Sequence, residues 1–127
     1  MSTSHHPKHD YMLPVYLQLA TLFYEEVLTN QWRENERIPS VRDFAIAKEV
    51  NPNTAMRTFT YLQEQEIIFN KKGIGYFLSE KAKEKVTKAM RSQLFDKTLK
   101  DMMKKMDLLH IPWEEVTYRH NQLRLTE

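Results

Sequence analysis

Apolar positions recur at helical spacing along most of the chain, and the places where the spacing breaks divide it into elements. From Pro14, the residues Val15, Leu19, Leu22, Phe23 and Val27 repeat as one buried face of a helix. Pro14 suits the first turn, where a missing N–H costs nothing. "TNQWRENERIP" interrupts the pattern as a connection. "PSVRDFAIAKEV" restarts it, with Ser40 as a cap, Asp43 three residues on, and Val41, Phe44, Ala45 and Ile46 on the apolar side. "VNPNT" ends that short helix and opens another: Asn51 is a good N-cap and Pro52 a good first residue. Ala55, Phe59 and Leu62 form its buried face.

The period then changes. Ile67–Phe69 and Tyr76–Leu78 are short β-prone runs flanking a basic tip that carries both glycines of the chain, which predicts a hairpin. From Ser79 to about Asp107 no Gly or Pro occurs, and one long helix is expected. Ala82, Val86, Met90 and Leu94, then Leu99, Met102 and Met106, trace its apolar stripe with one slip in phase. A last helix starts near Pro112 and carries Trp113, Val116 and Leu123. The expected fold is mainly α with a small β-hairpin wing. It comprises a polar, disordered tail over 1–10, a winged helix-turn-helix over 11–78, and a helical region over 79–127.

Composition narrows the function. The 127 residues fit one ordinary domain, or a small domain with an appended element. The absence of cysteine removes disulfides and thiolate metal sites. No apolar run is long enough to span a bilayer, and the amino terminus lacks the core of a secretory signal, so a cytoplasmic location is expected. The net charge of +2 is too small to announce a nucleic-acid binder. Its most basic stretch, 79–107, carries nine bases against five acids and reads as a solvated helix face. His5, His6 and His9 lack carboxylate or cysteine partners for a metal. No phosphate loop, nucleophile motif or Cys pair is present, so neither an enzyme nor a cofactor is expected. Glu25–Glu26 and Glu114–Glu115 read as solvated helix faces.

The remaining chemistry favours DNA. Asn51, Asn53 and Thr54 open the second helix of the helix-turn-helix, where short polar side chains reach phosphates or base edges; the alternative is an ordinary cap. Arg57 follows one turn later, off the apolar face, within reach of a guanine edge or a phosphate. Lys71 and Lys72 at the hairpin tip, beside Gly73, suit a phosphate backbone or a minor groove; on an isolated hairpin they would only protect an edge. Arg42 lies in a first helical turn, where the dipole disfavours a structural cation. It either pairs with Asp43 or meets a phosphate.

The strings "LPVYLQL", "RIPSVRDFA", "VNPNTAMRTFTYLQEQEII" and "KKGIGYFL" stand in order and at the right intervals to resemble the amino-terminal domain of GntR-family transcription regulators. "NPNT" with a short helical tail is similar to the YtrA subfamily. The resemblance implies a winged helix-turn-helix that dimerises through its C-terminal helices and binds a palindromic operator. It implies DNA contacts at Arg42, Asn51, Asn53, Thr54, Lys72 and Gly73. Regulation of ABC-transporter genes, commonly by repression, is implied too, while an effector is left open. The chain differs from the family pattern at Asn51-Pro52 and Met56, where arginine is usual, and at Glu66, where glycine usually precedes the wing. For assembly, the apolar stripe predicts a homodimer held by Met90, Leu94, Leu99 and Met102 with Trp113. The alternative function is a winged-helix protein-interaction module that does not bind DNA.

Overall fold

In the computed structural model, residues 13–126 are described; the expectations for the tail over 1–10, with His5, His6 and His9, lie outside them. The elements run α1 (Val15–Leu28), α2 (Val41–Lys48), α3 (Pro52–Glu64), β1 (Ile68–Lys71), β2 (Gly75–Leu78), α4 (Ala82–Gln93), a π-helical turn (Leu94–Thr98), α5 (Leu99–Leu108) and α6 (Trp113–Leu125). The chain divides into two compact units, the first ending at Thr87 and the second beginning at Lys88.

The core of the first unit follows from the helical periods. Leu19, Phe23 and Val27 of α1, Phe44 and Ala45 of α2, and Ala55, Phe59 and Leu62 of α3 are buried, together with Ile67, Ile68 and Leu78. Edge-to-face contacts join Phe44 to Phe59 and Phe59 to Tyr76, linking the short helix, the long helix and the hairpin. Three expected core positions are exposed. Val15, Leu22 and Ile46 face outward, and Ala20 and Tyr24 close the α1 face instead. A stripe of that helix centred on Phe23 takes the i+1 neighbours of Leu19 and Phe23 in place of the i+3 ones. Ala82 and Val86, the first members of the predicted C-terminal stripe, are fully buried and fall within this first unit.

The turns carry two unexpected glutamates. Glu49 ends α2 at φ 55°, donating its N–H to Ala45 and Ile46 carbonyls, and Val50 N–H reaches the Ala45 carbonyl at 3.0 Å. Glu66 takes φ 60° after α3, and Ile67 N–H closes on the Leu62 carbonyl at 2.9 Å. Both are left-handed turns of the kind glycine supplies without strain. The missing glycine at Glu66 therefore leaves the turn's shape intact.

Beyond the hairpin the single long helix is modified twice. Its start moves to Ala82, after a turn with Lys81 at φ 64°. The π-helical turn Leu94–Thr98 then lies where the apolar stripe slips from Leu94 to Leu99. A π-turn inserts one residue into an α-helix, so the five-residue step stays on one face. In the second unit Met106 is buried, whereas Leu94, Phe95, Met102, Met103, Trp113, Tyr118 and Leu123 are exposed. Ion pairs Lys97–Asp101 and Arg119–Glu115 span one turn each. Among the described residues no helix is long and apolar enough to cross a membrane.

Candidate nucleic-acid interface

The amino end of α3 is built by its cap. Asn51 is extended (φ −63°, ψ 137°), and its side-chain oxygen accepts the Asn53 N–H at 2.7 Å. Pro52 has no N–H to offer. The cap thus engages Asn51's acceptor, leaves its exposed amide NH2 without a partner among the described residues, and among first-turn amides leaves that of Thr54 without an acceptor. The anion-attracting power of this helix end is correspondingly reduced, and recognition rests on side chains. Asn53 and Arg57 are exposed and Thr54 is half-buried.

Arg57 is held in place. Its guanidinium lies over the Tyr16 ring at 4.2 Å, and Tyr61 meets Tyr16 edge-on at 6.2 Å. Thr58, fully buried on α3, donates its hydroxyl to the Tyr16 carbonyl at 3.1 Å. The first turn of α1 therefore docks on α3 and supplies an aromatic seat for the only arginine of that helix, a contact separated by some forty positions in sequence.

Arg42, in the first turn of α2, is exposed. Ser40 caps that helix by accepting the Asp43 N–H at 3.1 Å. The Arg42–Asp43 ion pair considered from sequence does not form, and Arg42 has no carboxylate partner among the described residues.

The wing is tighter than its sequence suggests. Ile68 pairs with Leu78, Phe69 with Phe77, Asn70 with Tyr76 and Lys71 with Gly75. Ile74 N–H closes the turn on the Lys71 carbonyl at 2.9 Å, with Gly73 at φ 80°. Lys72 and Gly73 thus form the tip. Lys71 is corrected to a strand residue whose ammonium lies 4.5 Å over Phe77 and 5.9 Å over Phe69. The two phenylalanines stack at 5.7 Å.

Sequence reasoning missed the wing's third side. Arg37, inside the supposed connection, bridges Phe77 in antiparallel fashion. Asn35 N–H reaches the Leu78 carbonyl at 2.7 Å, Leu78 N–H the Glu36 carbonyl at 2.9 Å, and Ile38 N–H the Tyr76 carbonyl at 2.9 Å. Four charged residues, Arg33, Glu34, Glu36 and Arg37, crowd the stretch before Pro39 and give no β-period to read. The reading of Glu26 as part of a solvated helix face is corrected. Half-buried, it accepts from Lys48 Nζ at 2.6 Å and Trp32 Nε1 at 3.1 Å, tying α1 to α2.

No family model matches the chain. It is 31% identical over 103 residues to an uncharacterized HTH-type transcriptional regulator, YhcF of Bacillus subtilis, spanning 81% of this chain and 84% of that protein. To the HTH-type transcriptional repressor YtrA of the same organism it is 33% identical over 70 residues, 55% of this chain and 54% of that protein. The crystal structure of a putative GntR-family transcriptional regulator from Bacteroides thetaiotaomicron superposes with a TM-score of 0.72 at 33% identity, covering 89% of this chain and 98% of that one.

Proposed function

The chain belongs to the GntR family of helix-turn-helix transcriptional regulators, and from that premise we propose that it is a YtrA-like repressor binding a two-fold symmetric operator as a homodimer. The observation that carries the DNA contact is electrostatic. Arg42 on the helix-turn-helix and Lys71 and Lys72 on the wing have no carboxylate partner among the described residues. Unpaired cations on a helix-turn-helix and its wing complement a phosphate backbone. Asn53, Thr54 and Arg57 on α3 supply the groups for base edges. The assembly rests on the exposed Leu94, Met102 and Trp113 and half-buried Met90 and Leu99, which a second copy would cover. A protein-only adaptor is not favoured by the family.

The test is selection of bound sites from random duplex DNA, followed by titration of the selected duplex against salt. Enriched inverted repeats and an affinity falling steeply with salt are expected, because displaced counterions drive binding. Recovery of no common sequence, with no salt-dependent duplex binding, would overturn the reading.

A further inference from the structure

Paired residues on neighbouring strands share a face of a sheet, as do residues two apart along one strand. The register therefore divides the wing. Ile68 and Leu78 are buried on the core side, and Tyr76 meets Phe59 there. Phe69, Lys71, Gly75 and Phe77 lie on the other side, joined by Arg37 through its bridge to Phe77. A Cβ added to Gly75 would meet Arg37 Nε at 2.9 Å and its terminal nitrogen at 3.2 Å. The guanidinium thus lies across the bare backbone of Gly75, whose cross-strand partner is Lys71.

Two cationic residues thereby share one outward face, Arg37 with its guanidinium against Gly75 and Lys71 with its ammonium over Phe77. The nearby acids are turned to other tasks: Glu36 accepts Arg33 N–H at 2.9 Å, and Glu34 accepts Lys83 N–H at 3.3 Å. Arg37 is exposed and makes no ion pair among the described residues. The bonds of its bridge are made by the flanking Glu36 carbonyl and Ile38 N–H, and its guanidinium donates no hydrogen bond among the described residues, which leaves its donors open to a ligand. Like charges brought together without a counterion favour an anion between them. Lys71's ammonium rests over Phe77 and Arg37's guanidinium over Gly75, so part of the ordering that binding would require is already made.

We infer that Arg37 and Lys71 form a phosphate seat on the outward face of the wing, a contact to the DNA backbone from outside the helix-turn-helix. The inference rests on the DNA-binding reading and extends it to a residue of the α1–α2 connection. The seat takes phosphate without regard to base, so it adds affinity and not sequence preference.

The experiment compares the full-length wild-type chain with Arg37→Ala and Arg37→Lys, on the selected duplex and on a random-sequence duplex of equal length, across a range of salt. Arg37→Ala should lower the slope of log affinity against log salt by about 0.9, the loss of one phosphate contact, and weaken both duplexes by the same factor, about tenfold. Arg37→Lys should keep the slope, since the charge remains. Thermal melting of each variant should match the wild type. An unchanged slope in Arg37→Ala would overturn the seat, including the case in which affinity falls because the wing has shifted. A loss confined to the selected duplex would overturn it in favour of base readout. Absence of any duplex binding by the wild-type chain would instead refute the DNA-binding reading itself, and this inference with it.

Discussion

Tyr24 is a residue whose surroundings do not satisfy its chemistry. Its hydroxyl is buried without a hydrogen-bond partner, and burial first, then the neighbouring Tyr61, raises its pKa far above the ordinary tyrosine value. Removing an unsatisfied buried hydroxyl while keeping the ring should be neutral or stabilising, so Tyr24→Phe is expected to gain about 0–1 kcal/mol in denaturant unfolding. The raised pKa means the folded state holds the proton more tightly than the unfolded one. That contribution is whole below pH of about 10 and lost as pH rises above it, so the variant should also lose less stability in alkali. A destabilised Tyr24→Phe would mean the hydroxyl has a partner in solution. Arg57 poses the opposite case, a charge well seated on Tyr16. Arg42→Ala and Arg57→Ala should each weaken operator binding by about 1–3 kcal/mol with folding intact. Relaxed base preference at Arg57 would mark readout, and uniform loss would mark a phosphate. Unchanged affinity in both would exclude the proposed binding face. The sequence offered Arg42, Arg57 and the wing lysines as candidates for this chemistry but not Arg37, and it did not show how any of them is held. The Tyr16 seat, the Glu26 double acceptor and the Arg37–Gly75 contact all join residues far apart in the chain, and no local period encodes such pairs.

At the scale of elements, capping and period were the reliable signals. Ser40 and Asn51 cap the helices they were expected to cap. The hairpin forms where the period changes, and the slip between Leu94 and Leu99 marks the π-turn. The failures have physical causes: the exposed Val15, Leu22 and Ile46 lie at the edges of apolar stripes, where the 3.6-residue period does not choose a side. The third side of the wing was illegible because its bonds are made by backbone alone. Glu49 and Glu66 show a fold overriding local preference, each holding a left-handed conformation that disfavours a residue with a Cβ. Glu49→Gly and Glu66→Gly should each stabilise the protein by up to about 1 kcal/mol, the relief of strain being partly offset by the freer unfolded chain. Loss of stability in both would show the turns relaxed in solution. The π-turn gives a sharper test. Deleting the exposed Asp96 removes the inserted residue and should restore a regular α-helix with the apolar stripe still aligned. Deleting Lys88 from the regular α4 should turn the following residues by about 100° against Ala82 and Val86, putting the stripe out of phase. Circular dichroism and sedimentation should find the first variant unaltered and the second impaired in assembly. Equal damage from both would mean the π-turn is needed for itself.

For the whole molecule, the division at Thr87 separates two physical tasks. The first unit holds nearly all of the buried apolar core and carries the candidate DNA-contacting cations, whereas in the second Met106 is buried and Leu94, Phe95, Met102, Met103 and Trp113 are exposed. Leu94 and Met102 are exposed in the protomer, so replacing them should spare its fold, and glutamate is compatible with a helix. Leu94→Glu with Met102→Glu is therefore expected to yield a folded monomer by sedimentation, and the wild type the proposed dimer. Linking two DNA-binding units makes the second contact intramolecular, a gain of about 10²–10⁴ in affinity where the geometry matches. The monomer should accordingly lose that factor on the full operator and retain weak, salt-dependent binding to either half-site. Spacing then discriminates between a dimer on DNA and two independent monomers. Inserting about five base pairs between half-sites turns one of them to the opposite face of the duplex. Wild-type affinity should collapse on that altered operator, while the monomeric variant should not distinguish it from the original. Equal tolerance by both proteins would mean that the exposed stripe of the second unit does not set the spacing of the two DNA-binding units.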